Sequence, residues 1–282
     1  IKKYLKNSDI WLCSPAPSYK IDKDLLSSAK NLKVIISPST GTTHIDKIYC
    51  EKEKIIVRNI LKTPLVKKIH ASSEFTFSLM LSMFKNIPNA IKTVKSGHWR
   101  NEEDKLRSNE LINKNIGIIG FGRIGKNVSK YCKALGMNIY VHDLIKIKNK
   151  NIKFYDDLSK MLPKCDIVFL CISYSEKNYK FMDKKKFKLM KIGSTFINTS
   201  RGEAVCEESL IKALIQKKIK KAAVDVVSNE QGDLSKNILI NYFKENENLI
   251  ISPHIAGLTL ESETKAADQC YKILNSYKGV FI

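Results

Sequence analysis

The sequence predicts an α/β protein: a doubly wound parallel sheet covered by helices, with a second, smaller domain beside it. Three observations carry this. From residue 114 onward short apolar runs alternate with helix-length amphipathic segments, the signature of parallel strands buried on both faces. One of those runs opens directly into the glycine-rich turn Gly120-Phe121-Gly122-Arg123-Ile124-Gly125. And 282 residues exceed one typical domain and fall short of three.

Taken in order, residues 10–13 read as an apolar strand, Pro15 and Pro17 as a turn, and 22–29 as a short helix. A second strand at 33–37 runs straight into Pro38-Ser39-Thr40-Gly41-Thr42. Residues 71–96 read as one long helix, with Ser72 or Ser73 as cap and Glu74 in the first turn. Its core stripe would be Phe77, Met80, Phe84 and Ile87. Pro88 should kink that helix or end its regular part. Then come a strand at 116–119, the glycine turn, a helix to about 135 and a strand at 138–141. Further strands are expected at 166–171, 194–198, 221–226 and 249–252. Residues 228–248, polar and carrying Gly232 and several Asn, read as a long functional loop containing some helix. There is no internal repeat and no low-complexity linker.

Composition narrows the function classes. A net charge of +21 would by itself suggest a polyanionic partner, but 44 of the 49 basic residues are Lys and they run from end to end. A surface that reads phosphates and bases leans on clustered guanidinium groups. Specific nucleic-acid binding is therefore the minority reading, with weak, salt-sensitive adhesion to polyanions expected. The seven cysteines form no CxxC pair and no zinc-type cluster, so they are expected to be reduced, mostly buried thiols, and no metal is expected. The most apolar stretch, 75–84, is interrupted by Thr76, Ser78 and Ser82, too short and too polar to span a bilayer. No secretory or transit segment is read at Ile1-Lys2-Lys3-Tyr4, and a cytoplasmic protein is expected.

The chemistry concentrates where strands end, the edge at which such sheets bind ligands. In the glycine turn, Gly120 allows the tight bend, Gly122 lets backbone approach a pyrophosphate, and Gly125 lets helix pack on strand. Asp143 stands 18 residues after Gly125 at the end of the next strand, where a carboxylate can accept from the hydroxyls of an adenosine ribose. Strand, glycines, helix, strand and acid in that order indicate a Rossmann-type, dinucleotide-binding unit. Three later strand ends carry Asn198-Thr199-Ser200-Arg201-Gly202, Asp225 with Glu230, and Ser252-Pro253-His254-Ile255-Ala256-Gly257. Each alone has an ordinary explanation; together they put a cation, carboxylates and an imidazole beside a nicotinamide site. His44, His70, His98 and His142 lack such a setting.

These residues resemble the D-isomer-specific 2-hydroxyacid dehydrogenases, which include phosphoglycerate and glyoxylate/hydroxypyruvate reductases. The resemblance runs from about Asp9 to the C-terminus. It rests on the 40–46 turn (TGTTHID), Ser73-Glu74, Gly97-His98-Trp99, GFGRIG, NTSRGE, the acidic run from Asp225 to Glu230, and SPHIAG. It implies a flavodoxin-like substrate domain, residues 1–69 with 256–282, around an NAD-binding domain at 70–255. It implies that Arg201 binds the substrate carboxylate, His254 is the acid/base and Glu230 pairs with His254. Backbone of Thr40 and Gly41 would hold the rest of the carboxylate. Gly120, Gly122, Arg123, Ile124, Gly125, Asp143, Ser173, Thr199, Asp225 and Gly257 fall where the family contacts NAD. A homodimer is implied as well.

The chain departs from the family pattern at Ser173-Tyr174-Ser175, where Pro-x-Thr is usual, and at Gln231, where proline commonly follows the catalytic Glu. Glu at 230 argues against the formate dehydrogenase branch, and the long form of phosphoglycerate dehydrogenase is disfavoured. A first strand-helix unit is expected to be missing before residue 10, leaving the substrate domain N-terminally incomplete. The rival expectation is a dinucleotide-sensing or corepressor-type protein that keeps the site with little turnover. Asp143 predicts NAD over NADP, because a carboxylate repels a 2′-phosphate.

Overall fold

The computed structural model describes residues 1–100, 103–277 and 279. The chain forms two compact units, Ile1–His70 with Leu258–Ile282, and Ala71–Gly257. Among the described residues no helix is long and apolar enough to cross a membrane.

In the first unit β1 (Ile10–Leu12), β2 (Val34–Ser37) and β3 (Ile56–Asn59) pair in parallel in that order. Every residue of the central β2 is buried, so its sequence runs Val-Ile-Ile before Ser37 rather than alternating. Ile35 faces Ile21, Leu26 and Leu32, while Val34 and Ile36 face Ile60 and Val66. The helix expected at 22–29 is a single turn, Lys23–Leu26, capped by the Asp22 carboxylate, which accepts from Leu25 N at 3.1 Å. β3 carried no sequence signal, because its residues are only half-buried or exposed.

In the second unit the expected long helix is two helices, α1 (Ala71–Phe84) and α2 (Ile87–Lys95). The break is at Asn86, whose φ of +59° lies in the left-handed region that Asn tolerates. Pro88 then sits in the first turn of α2, where its missing N–H costs nothing. Ser72 and Ser73 lie inside the first turn of α1 instead of capping it. Of the expected stripe only Met80 is buried; the buried line is Ser73, Thr76, Leu79, Met80 and Met83. α1 packs on more than one side, against the sheet and, through Phe77 on Tyr131 at 5.5 Å, against α3 (Arg123–Ala134). Apolar residues therefore ring it, and a one-stripe reading picks the wrong line.

The strands β4 (Asn115–Ile119), β5 (Asn138–His142), β6 (Lys153–Phe154), β7 (Ile167–Leu170), β8 (Ser194–Asn198), β9 (Ile219–Val224) and β10 (Leu249–Ile251) form one parallel sheet. Their order is β10-β9-β8-β7-β4-β5-β6. Alternate residues of β7 serve opposite faces: Val168 and Leu170 pack with Phe187 and Phe196, Ile167 and Phe169 with Val128 and Met137. The chain leaves β4 towards β6 and returns on the other side at β7, so the strand order reverses between β4 and β7. Ligands of such sheets bind at the carboxyl ends beside that reversal. β9 ends two residues earlier than expected, which leaves Asp225 just beyond the strand. The long loop after β9 holds α5 (Ile238–Glu245), while α4 (Glu207–Ile215) precedes that strand. The last helix, α6 (Leu260–Asn275), belongs to the first unit and buries Ala266 and Cys270 against Val34 and Ile36.

Candidate active site

The glycine turn is built as its spacing requires. Gly120 has a φ of +90°, and a Cβ there would meet the Cys171 backbone at 2.8 Å. At Gly125 a Cβ would strike the Gly120 carbonyl oxygen at 2.2 Å, so helix and strand pack too closely for any side chain. Beside Gly122 a Cβ would meet nothing within 4 Å, and Gly122 starts α3 with no side-chain cap. The N-terminus of a twelve-residue helix, with its dipole, thus stands at the end of β4, which fits a pyrophosphate. Arg123 is half-buried here, and desolvation lowers its guanidinium from its ordinary value. Asp143 follows β5: its Oδ2 accepts from Phe121 N at 2.6 Å and its Oδ1 from Ile145 N at 3.0 Å. Each oxygen keeps a second lone pair, so the carboxylate ties the two loops together and can still accept from ribose hydroxyls.

β8 ends at Asn198, buried to 1% exposure. Its Oδ1 accepts from Ser200 N and Ser200 Oγ at 2.9 and 2.7 Å, and its Nδ2 donates to the Arg201 carbonyl at 3.0 Å. This local turn fixes the backbone on both sides of Arg201. The Arg201 guanidinium donates to the Ser200 carbonyl at 2.6 Å. Thr199 is buried with its hydroxyl 2.6 Å from that of Thr76. At Gly202 a Cβ would lie 1.9 Å from the Val227 carbonyl carbon. The Arg201 loop therefore lies directly against the loop that leads to Glu230.

Asp225, 1% exposed, organises the next two segments. Its Oδ1 accepts from Ser252 Oγ at 2.5 Å and Ile255 N at 3.0 Å, its Oδ2 from Ala256 N at 2.8 Å, and its carbonyl from His254 N at 2.8 Å. Burial pushes its carboxyl up from the ordinary value, while these donors pull it back. His254, at a φ of +55°, is held on this cradle, and its Nδ1 lies 2.6 Å from Glu230 Oε2. Both side chains remain partly exposed, His254 at 36% and Glu230 at 26%. In the tautomer whose Nδ1–H donates to Glu230, Nε2 is the remaining nitrogen of the ring.

Arg201, Glu230 and His254 thus follow three adjacent strands, β8, β9 and β10, at one edge of the sheet. Ser173 follows β7 and is exposed; its carbonyl accepts from Asn178 Nδ2 at 2.7 Å. Gly257 has room for a side chain, its nearest neighbour being Ser72 Oγ at 3.8 Å. Thr40 and Gly41 lie in the first unit, in the loop after β2, where Asn59 Nδ2 donates to the Thr40 carbonyl at 3.2 Å and Ser39 Oγ to that of Gly41. The sequence reading missed Glu207 and Asn237 and carried Glu203 and Ser252 only as members of their motifs; all four hold the site's loops. A Glu in a first helical turn and an Asn before a helix look like ordinary capping. Among the described residues no group of His, Cys, Asp and Glu could hold a metal, and all seven cysteines are free.

Residues 77–256 match the family model described as "D-isomer specific 2-hydroxyacid dehydrogenase, NAD binding domain". The chain is 33% identical to a glyoxylate reductase of Thermofilum pendens over 271 residues, 94% of this chain and 76% of that protein. It is 30% identical to a hydroxypyruvate reductase of Thermotoga maritima over 248 residues, 87% and 78% of the two chains. Among solved structures it superposes on a D-lactate dehydrogenase from Aquifex aeolicus, complexed with NAD and lactic acid, with a TM-score of 0.86. That pair is 26% identical over 100% of this chain and 86% of that one.

Proposed function

The chain belongs to the D-isomer specific 2-hydroxyacid dehydrogenases, NAD-dependent oxidoreductases, and on that premise we propose that it reduces a small 2-keto acid to the D-2-hydroxy acid, with Arg201, Glu230 and His254 as its catalytic set. The observation that carries this is the 2.6 Å contact between His254 Nδ1 and Glu230 Oε2 at the sheet edge that also bears Arg201. NAD would be held by Gly120, Gly122, Arg123, Ile124 and Gly125 at its phosphates and by Asp143 at its ribose. Ser173, Thr199, Asp225 and Gly257 would line the nicotinamide end. Bound NADH supplies the hydride.

The chain's own residues do the rest. Arg201, released from the Ser200 carbonyl, offers a planar fork to the substrate carboxylate and fixes the carbonyl beside His254. Negative charge grows on the carbonyl oxygen as the adjacent carbon is reduced, and protonated His254 delivers its Nε2 proton to that oxygen. The ring keeps its Nδ1 proton on Glu230. Glu230, accepting from Nδ1, fixes the ring's orientation throughout.

The division into substrate residues 1–69 with 256–282 and cofactor residues 70–255 is part of the proposal, supported by the match at 77–256. Thr40 and Gly41 are given a substrate role through their backbone N–H groups. The named relatives, a glyoxylate and a hydroxypyruvate reductase, support a substrate of two or three carbons. Free cysteines suit a cytoplasmic setting, and an exposed apolar face on α2 suits a homodimer. The test is NADH oxidation with a panel of 2-keto acids: turnover supports the proposal, whereas tight NADH binding with no turnover on any of them replaces it with a sensor.

A further inference from the structure

We propose that Glu207 is a positioning residue for the His254–Glu230 pair, acting through the backbone that carries Glu230; this rests on the catalytic reading above. Three consecutive backbone N–H groups before Glu230 each donate to a carboxylate. Val227 N donates to Glu230 Oε1 at 3.3 Å, Ser228 N to Glu207 Oε1 at 2.7 Å and Asn229 N to Glu203 Oε1 at 3.2 Å. The shortest of the three goes to Glu207, the first residue of α4, which is only 6% exposed.

Asn237 completes the clamp. Its Nδ2 donates to Glu207 Oε2 at 3.1 Å and to the Ser228 carbonyl at 3.2 Å, so both polar groups of the Ser228 backbone are held by the one pair. Its Oδ1 meanwhile caps α5, accepting from Leu239 N and Ile240 N at 3.0 and 2.9 Å. Asn229 adopts a φ of +56°, and the turn closes with Gly232 N donating to its carbonyl at 2.9 Å.

A carboxylate suits this position and an amide does not. Glu207 accepts from the Ser228 backbone N–H, the Ser228 hydroxyl and the Asn237 amide, and a Gln that keeps its oxygen on Ser228 N turns its own NH2 towards the Asn237 NH2. Asn237 cannot flip to compensate, because its Oδ1 is committed to the cap. Burial raises the Glu207 carboxyl from its ordinary value, a cost the N-terminus of α4 partly offsets. The outcome is a rigid platform two residues from Glu230, set against the Arg201 loop at Gly202.

The experiment compares Glu207→Gln alone and in a Glu230→Gln background, using keto-acid reduction and the imidazole 15N spectrum of His254. Glu207→Gln is expected to lower kcat by about 10- to 100-fold with the KM for NADH unchanged, to lose the hydrogen-bonded His254 Nδ1 proton signal, and to add no further loss once Glu230 is Gln. An equal loss in both backgrounds, or an intact Nδ1 signal, overturns the proposal. If Glu207→Gln does not fold, Asn237→Ser carries the same outcomes, since Ser caps a helix as Asn does but cannot reach both partners. Should the parent reduce no keto acid, the catalytic reading fails, while the Nδ1 signal still decides whether Glu207 holds Glu230 on His254.

Discussion

His254 occupies a backbone conformation that its surroundings impose: a φ of +55° is held by the Asp225 carbonyl on its N–H and by the Asp225 carboxylate on Ile255 and Ala256. Asn enters that region more easily than Ala, which costs about 1–2 kcal/mol there. His254→Asn is therefore the cleaner catalytic variant, expected to unfold near the parent's Tm in a thermal scan while His254→Ala unfolds a few degrees lower. Asp225 supports a second expectation. Its carboxyl is raised above the ordinary 3.8 by burial, so in the window between 3.8 and the folded value the native state binds a proton that the unfolded chain has released. The stability from that proton is complete below 3.8 and is lost as pH rises through the folded value. In Asp225→Asn the proton linkage is gone, and an amide cannot accept from Ala256, Ile255 and Ser252 together. Urea unfolding should show the variant weaker at every pH, by about 1–3 kcal/mol near neutrality. The gap should be widest near pH 4 and narrow towards a plateau; a gap that widens with pH would reverse the sign. The placement of Arg201, Glu230 and His254 at neighbouring strand ends was legible because each stands in a short motif there. The hydrogen bonds of Asp225 and Glu207 were not, because burial and the bonds to residues 21 to 31 positions away exist only once the chain is folded.

At the scale of elements, α1 and α2 show what periodicity resolves and what it does not. Residues 71–96 are helical almost throughout, as their pattern implies, yet the interruption at Asn86 and the line of burial were hidden by apolar residues around the whole circumference of α1. α2 is different. Ile87, Ile91 and Val94, spaced four and three apart and so on one face, are 45%, 52% and 52% exposed, and α2 buries nothing within its own unit. Such a stripe on a surface helix suits the homodimer proposed above. Ile91→Glu is expected to convert a homodimer to a monomer by light scattering at micromolar concentration, and an unchanged mass would remove α2 from the interface. The βαβ unit from β4 to β5 places Asp143 against the glycine turn through Phe121 N. Asp143→Ser is expected to weaken NADH and to narrow the preference for NADH over NADPH by about tenfold or more in titrations, the repelled 2′-phosphate being the cause. Equal affinities in the parent, unchanged in the variant, would contradict that role.

For the whole molecule, six of the seven parallel strands were legible in outline, though not their order, because β7 and much of β4, β8 and β9 are buried and read as short apolar runs. The short edge strand β6 and the half-exposed β3 gave no such run. The +21 net charge is spread over the chain and argues for solubility and loose polyanion contact rather than a partner, so retention on heparin should be abolished by about 0.3 M salt. NADH at about a hundred times its Kd should stabilise the fold by about 2.7 kcal/mol, an effect that Gly122→Val, which fills the open space at the start of α3, should remove. In the proposed reaction a sheet edge bearing Arg201, Glu230 and His254 performs acid-assisted keto-acid reduction. The direct measurement is the steady-state rate of NADH oxidation by the parent and by His254→Asn over a panel of small 2-keto acids. A D-2-hydroxy acid product is expected, with kcat lower in the variant by about two to four orders of magnitude and NADH affinity nearly unchanged. Near-parental turnover by His254→Asn on every keto acid the parent reduces would contradict it.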